Sequence, residues 1–168
     1  MNKLLRICKH AWVDEGDTRR ALPPALVERL HQRVAASERH HSGEIRVCIE
    51  ASLPLSYLWR GLSARDRAIT MFGKLRVWDT AHNNGVLIYL LLAGHAIEIV
   101  ADRGLNAQVA QTQWSRIVAG MRDAFRAGRY EEGLNAAVDA VDALLTPAFP
   151  VDATHPNPNE LPDAPHLR

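Results

Sequence analysis

A long apolar run followed by a tight turn constrains the fold of this chain more than any other feature. Residues 85–92 are almost wholly apolar, as is typical of a fully buried strand, and Ala93-Gly94 predicts a two-residue turn into a second strand over residues 95–102. The mostly apolar stretch over residues 85–101 falls short of the roughly 20 clean residues of a membrane span, and Gly94, His95 and Glu98 interrupt it. The sequence therefore predicts a β-hairpin and no transmembrane segment.

The remaining patterns predict an alternation of helices and strands. Residues 44–50 alternate polar and apolar side chains at period two, which indicates a strand, and apolar residues at helical spacing indicate four helices around the strands. We expect the first helix to run from Pro23-Pro24 to Ser42 and the second from Ser63 to about Val77. The third is expected from Asn106 to Gly128, and the fourth ends at Pro147. The order is α-β-α-β-β-α-α, and the helix between the first two strands favours a parallel, right-handed crossover. We expect a single-domain, three-layer α/β/α sandwich with a small mixed sheet.

The size and composition of the chain favour one domain with one short tail. With 168 residues, 47% of them hydrophobic, the chain can bury one core. We expect an irregular N-terminal segment over residues 1–20, an α/β domain over 21–148, and a disordered tail, rich in Pro, Asp and Asn, over 149–168.

Charge and cysteine content exclude several classes of protein. The net charge is +1 and the arginines form no basic stripe, so we expect no nucleic-acid binding. Cys8 and Cys48 stand alone, which argues against a disulfide framework or a structural zinc site and favours a buried thiol at Cys48. The start of the chain is too soon interrupted by charge for a secretory signal, so a soluble, cytoplasmic protein is expected.

Polar residues converge where the two parallel strands begin and the third strand ends. The two-residue turn sets a register that places Gly85 opposite Asp102 and Asn84 opposite Arg103. Carboxylates of Asp79 and Asp102 with amide oxygens of Asn83 or Asn84 are hard ligands that suit Ca²⁺ or Mg²⁺, and Arg103 could bind an anion. The alternative is that these residues serve only as turn and capping residues.

No motif for covalent catalysis or for an organic cofactor is present. There is no Gly-x-Ser-x-Gly elbow, phosphate-binding loop or His-Glu-x-x-His pattern. We interpret His40, His41 and His82 as exposed histidines. Glu38, His41 and Glu44 lie near the predicted polar end as additional polar residues.

An apolar segment follows the first strand, at the opposite end of the sheet. Residues 53–59, from Leu53 to Trp59, carry several large apolar side chains. They favour filling of the core, with contact to a protein partner or to a membrane surface as the alternative.

At these motifs the sequence resembles the TPM domain, specifically its short bacterial branch of uncharacterised proteins. The resemblance rests on residues 37–45, 75–80, 83–89 and 98–104, and above all on the pairing of Asn83-Asn84-Gly85 before one strand with Asp102-Arg103-Gly104 after the next. It implies a compact α/β/α sandwich, divalent-cation binding in some members, and weak acid-phosphatase activity in plant thylakoid relatives. Other relatives resemble accessory factors of membrane complexes. The positions that match the family motifs are Asp79, Asn83, Asn84 and Asp102.

Two functions are therefore expected, in this order. The first is a binding or accessory module, modulated by a divalent cation, that acts on a protein partner and needs no nucleophile. The alternative is a weak metal-assisted acid phosphatase acting on phosphomonoesters, in which Asp79 and Asp102 hold the ion and Arg103 stabilises transition-state charge.

Overall fold

The helices and strands of the computed structural model follow the predicted order. The structure describes residue 10, residues 15–151 and residues 158–168. In these residues the elements are α1 (Glu15–Ala21), α2 (Pro24–Ser37), β1 (Ile45–Glu50), α3 (Leu55–Arg60), α4 (Ala64–Lys74), β2 (Val86–Leu91), β3 (Ala96–Ala101), α5 (Arg103–Asn106), α6 (Gln111–Arg126), α7 (Tyr130–Ala148) and β4 (His166–Leu167). The short elements α1, α3, α5 and β4 are additional to the prediction.

The strands form one mixed sheet in the order β3-β2-β1-β4. β1 is parallel to β2, and β2 is antiparallel to β3 with Leu91 opposite Ala96 and Val86 opposite Ala101. The predicted hairpin register is confirmed, since the Asp102 N–H donates to the Gly85 carbonyl at 2.8 Å as the next step of this ladder. The parallel crossover thus brings the starts of β1 and β2 to the same end of the sheet as the end of β3.

Helices cover both faces of the sheet, which confirms the three-layer arrangement. One face packs against apolar residues of α2, α6 and α7, among them Leu30, Met121 and Val138. The other face carries Cys48, Leu87 and Tyr89 and packs against α3, α4 and the buried tail residue Leu161. Alternate side chains of each strand therefore enter two separate apolar clusters, as period-two geometry requires.

The predicted helix starts at Pro23-Pro24 and Ser63 and the predicted end at Gly128 are confirmed, whereas the start at Asn106 is wrong. α2 ends at Ser37, before the predicted Ser42, and Pro147 lies inside α7. Ser63 caps α4 in a reciprocal capping box with Asp66, and Gly128 follows α6 at a positive φ of 72°. Asn106 does not cap α6: it is the last residue of α5, because the side chain of Asp102 already accepts the Arg103 N–H and starts a helical turn there. α6 begins only at Gln111.

Both chain ends differ from the expected irregular structure. Residues 15–20 belong to α1, whereas residues 1–9 and 11–14 lie outside the described part of the chain. In the segment expected to be disordered, residues 158–168 pack on β1: the Ala51 N–H donates to the Arg168 carbonyl at 2.7 Å and β4 pairs with β1. This pairing uses backbone groups, so a composition rich in Pro, Asp and Asn does not reveal it.

The apolar segment 53–59 divides between the core and the surface. Leu53 and Leu58 are buried, whereas Leu55 and Trp59 on α3 are 67% and 70% exposed. The core-filling interpretation therefore holds for part of the segment only. Among the described helices, none has the length and apolar content needed to cross a membrane.

Candidate functional site

The loop before β2 lies directly against the end of β3. We call residues 78–85 the site loop. The Gly104 N–H donates to the Asn83 carbonyl at 2.9 Å, and a Cβ on Gly104 would lie 2.6 Å from that same oxygen. A Cβ on Gly85 would lie 2.0 Å from the Val77 carbonyl oxygen. Glycine at both positions lets the backbones approach this closely. The contact between Gly104 and Asn83 joins the two motifs of the predicted site.

Asn83 and Arg103 contact each other across this junction. Asn83 adopts a positive φ of 52°, a conformation that asparagine tolerates better than most residues. Its Oδ1 accepts a hydrogen bond from Arg103 Nε at 3.0 Å. The guanidinium is exposed at the end of the sheet, where an anion can reach it.

Asn84 links the site loop to the start of β1. Its side chain is buried, with Nδ2 donating to the Ser42 carbonyl at 2.9 Å, and its backbone N–H donates to Thr80 Oγ1 at 3.1 Å. The Oδ1 atom is buried and has no hydrogen-bond partner in the described part of the chain. Asn84 thus holds three segments together and still has one amide oxygen to offer.

Asp102 also has one oxygen to offer. Oδ1 accepts the Arg103 N–H at 2.7 Å, which caps α5. Oδ2 is buried and has no partner within the described residues. Buried polar atoms in proteins are almost always satisfied, so a carboxylate oxygen of this kind is suited to a cation or to an ordered water.

The predicted ligand Asp79 is paired with an arginine. It is exposed and forms an ion pair with Arg76 three residues before it. Within residues 15–151 and 158–168, no three His, Cys, Asp or Glu side chains are grouped so that they could hold a metal ion. The structure therefore brings Asn83 and Arg103 into contact, places Asn84 and Asp102 one step apart along the β2–β3 pairing, and pairs Asp79 with Arg76.

Glu38 and Glu44 bind backbone groups. Glu44 is buried and accepts the backbone N–H groups of Glu160 and Leu161 at 3.3 and 3.1 Å. Glu38 Oε1 accepts the Ile45 N–H at 2.8 Å. Both side chains therefore stabilise the segment at the start of β1, and Glu44 also binds the C-terminal tail to it. The tail was missed in the sequence because its partners lie more than a hundred residues earlier.

His41 is fully buried, so its interpretation as an exposed histidine is wrong, whereas His40 and His82 are exposed. Its Nδ1 lies 2.9 Å from the Gly43 carbonyl and its Nε2 lies 3.1 Å from Ser37 Oγ. Burial lowers the pKa of His41.

Ser37, His41 and Asp142 do not form a catalytic triad. Ser37 Oγ donates to Asp142 at 2.9 Å, so its proton faces the acid and not the imidazole. In a Ser-His-Asp triad, His accepts the Ser proton and the acid orients the other ring nitrogen; here that nitrogen faces a backbone carbonyl. No local motif could have indicated this cluster, because Ser37 and Asp142 are 105 residues apart in sequence.

The Glu38 carboxyl makes stability depend on pH. Burial is the main cause that raises its pKa from 4.5 to about 9, with Glu44 and Asp163 nearby. When the pKa of a group is higher in the native than in the unfolded state, the native state holds a proton that the unfolded state has released. The stabilisation from this proton is complete below the unfolded pKa, and it is lost as pH rises through the native pKa. We expect Glu38→Gln, which imitates the protonated acid, to raise the free energy of unfolding at pH 8.5 by at least about 2 kcal/mol and at pH 5 by less than about 1 kcal/mol.

Urea unfolding at the two pH values measures this difference. Glu28→Gln on α2, the helix that ends just before Glu38, is the control, because the Glu28 side chain is 62% exposed; its effect should be small at both pH values. An equal effect of Glu38→Gln at pH 5 and pH 8.5 would contradict the assignment of the pH dependence to this carboxyl.

Comparisons with known proteins identify the family. The chain is similar to the BA42 protein of the psychrophilic bacterium Bizionia argentinensis, whose NMR structure matches with a TM-score of 0.76 and 25% identity over 88% of this chain and 95% of that one. The N-terminal domain of a P. gingivalis protein shares the fold, with a TM-score of 0.59 and 24% identity over 76% of this chain and 78% of that one. No curated protein matches the sequence. The family model of the TPM domain matches residues 16–144, so the chain belongs to the TPM domain family.

Proposed function

We propose that this TPM domain is a binding or accessory module that takes up a divalent cation, Ca²⁺ or Mg²⁺, at the end of the sheet marked by Asp102. The observation that carries the proposal is the buried Oδ2 of Asp102, which has no partner in the described residues. Carboxylate and amide oxygens are the ligands that both ions prefer. Asn84 supplies a second unpartnered oxygen at the neighbouring position.

The other two proposed ligands need a small rearrangement of the site loop. Asp79 is held only by its exposed ion pair with Arg76, and exposed pairs of this kind contribute little free energy. Asn83 Oδ1 now accepts from Arg103. A cation that draws both side chains inward would complete its coordination and release the Arg103 guanidinium, which would couple cation binding to the exposed surface.

A module is favoured over an enzyme because the described chain offers no activated nucleophile. Cys48 is buried, and burial raises the pKa of its thiol to about 12, which keeps it protonated and unreactive. Cys8 lies outside the described residues. Ser37 and His41 are both buried and contact each other, and His41 also contacts the Gly43 carbonyl, so neither is open to a substrate.

Calorimetric titration with Ca²⁺ and Mg²⁺ tests the proposal through Asp102→Asn. Asparagine caps helices as well as aspartate does, so this change removes the charge and preserves the α5 start. We expect at least a tenfold loss of cation affinity, about 1.4 kcal/mol. Asp123→Asn on α6 is the matched control, because Asp123 is 78% exposed and lies outside the site loop; its affinity should stay within twofold of the unmodified chain.

Two results would contradict the proposal. One is the absence of measurable cation binding, and the other is binding that Asp102→Asn leaves unchanged. The family model bears the name TPM phosphatase, and Arg103 bonds to Asn83 through Nε, which lets its terminal amino groups face a phosphate. Hydrolysis of p-nitrophenyl phosphate that stops on chelation and in Asp102→Asn would therefore replace the module with the second candidate, a metal-assisted phosphatase.

A further inference from the structure

β3 is an edge strand of the sheet, and half of its peptide groups face away from β2. The order β3-β2-β1-β4 places it at one edge. Asp102 donates to Gly85, so the even-numbered residues of β3 bond to β2, and the backbone groups of Ile97 and Ile99 point outward. The hydrogen bond from Arg65 to the Ile99 carbonyl confirms this direction. The edge thus carries backbone groups that can pair with an added strand. Ile97 and Ile99 are only 2% and 7% exposed, so a strand reaches these groups when the side chains that cover the edge move aside.

A groove runs along this edge between β3 and α6. Two cavities, of about 730 and 280 Å³, adjoin each other and share Ile97, Glu98 and Arg122 as lining residues. We define the β3 groove by Ile97, Glu98 and Ile99 on the strand and by Trp114, Val118 and Arg122 on the helix. Trp114 is buried, and its Nε1 donor has no acceptor in the described residues. A donor of this kind is available to an acceptor brought by an occupant.

The cover of this edge consists of long arginine side chains. Arg65 from α4 reaches the Ile99 carbonyl and lies 3.7 Å from Glu98, while Arg122 from α6 lines both cavities and acts electrostatically on Glu98. Arg126, which lines the larger cavity, is a third arginine along this edge. Among the described residues that line the two cavities, Glu98 is the single acid, so the groove is positively charged on both sides of the strand.

We propose that the β3 groove binds an extended acidic peptide, which adds as a strand to β3. Backbone pairing with Ile97 and Ile99 supplies affinity, as in other domains that accept a strand at a sheet edge. At Ile99 a peptide N–H takes the place of Arg65 on the carbonyl oxygen, which frees the guanidinium for an acidic side chain. Successive side chains of an added strand point to opposite faces, so acidic residues on the two faces meet Arg65 on one side and Arg122 on the other. The same arginines that protect the edge from apolar strands then select acidic ones.

A second copy of the chain fits this edge less well than an acidic peptide does. Edge-to-edge pairing of two copies would bring Arg65 and Arg122 of each copy toward the arginines of the other, and like charges across strands destabilise a pair. The proposal is independent of cation binding, because the groove covers the middle of β3 and α6, whereas Asp102 lies beyond the end of the strand.

An NMR titration with a defined probe tests the proposal. The probe is an acetylated and amidated peptide of two Val-Glu-Glu repeats, which places Glu on both faces of an extended strand, added to the isotopically labelled full chain. We expect the amide signals of Ile97 and Ile99 to shift downfield and their hydrogen exchange to slow at least tenfold, with no such change at Ile88 in the sheet interior. Arg122→Glu should weaken binding at least tenfold, and Arg116→Glu, an exposed position on the same helix outside the groove, should change it less than twofold.

Two further peptides separate strand addition from simple charge attraction. N-methylation of alternate amides keeps every side chain and removes backbone donors, so it should abolish the slowed exchange; a peptide with Lys in place of Glu should not bind. The proposal is overturned by no shift at about 5 mM peptide, by equal binding of the N-methylated or Lys peptide, or by shifts at other sites. Concentration-dependent shifts of Ile97 and Ile99 without peptide would also overturn it, because the occupant would then be a second copy.

Discussion

Replacing Gly85 with alanine is expected to lower the free energy of unfolding by about 3 kcal/mol and to abolish cation binding. The new Cβ would lie 2.0 Å from the Val77 carbonyl oxygen, and overpacking against a backbone atom costs 1–3 kcal/mol or more, roughly, because neither main chain can yield cheaply. Relief requires the site loop to move away from the start of β2. Chemical unfolding measures the loss of stability, and calorimetry with Ca²⁺ measures the loss of the site.

Gly73→Ala provides the control for this experiment. Gly73 lies within α4, and a Cβ there would meet nothing within 4 Å. Alanine stabilises a helix interior relative to glycine by about 0.5–1 kcal/mol, so the same substitution should raise stability at this position. If Gly85→Ala changed stability by less than about 1 kcal/mol and preserved the affinity for cations, the close approach would not be needed to form the site.

The success of the hairpin prediction and the failure of the tail prediction have the same physical cause. The register of β2 and β3 follows from local information, namely the tight turn at Ala93-Gly94 and the apolar pattern on both sides of it. The tail is held by Glu44 and Arg46, which bond to backbone groups of residues 160–164. Any sequence with free backbone groups can make such bonds, so neither periodicity nor composition indicates them.

The candidate site was predictable in its location and not in its detailed contacts. Topology alone places the site loop beside the end of β3, because strands that run in parallel start at the same end. The ion pair of Asp79 with Arg76 joins two exposed side chains, and the sequence does not indicate which partner an exposed carboxylate takes. The burial of His41 depends on its contacts with Ser37 and the Gly43 carbonyl, and nothing in the local sequence distinguishes it from its exposed neighbour His40.

Arg67→Met is expected to cause the largest loss of stability in the chain, about 3–5 kcal/mol, because it breaks a buried ion pair. Arg67 and Glu50 are each 2% exposed. Arg67 donates to the two Glu50 oxygens at 2.7 and 2.5 Å, and the Tyr89 hydroxyl donates to one of them at 2.8 Å. Without Arg67 the Glu50 carboxylate stays buried beneath α4, with the more distant Arg168 as its nearest cation at 4.0 Å.

The double variant Arg67→Met with Glu50→Gln shows whether this loss comes from the uncompensated charge or from lost packing. If the charge dominates, removing the carboxylate as well should restore at least half of the free energy of unfolding that Arg67→Met loses. The two substitutions should then be strongly non-additive in urea unfolding. Lys74→Met at the exposed end of the same helix should change stability by less than about 0.5 kcal/mol. Strictly additive losses would instead mean that Arg67 stabilises α4 through packing. Its guanidinium carbon lies 5.2 Å from the centre of the Tyr57 ring, which supplies such a contact. The buried ion pair would then contribute specificity to the packing of helix on sheet without contributing net stability.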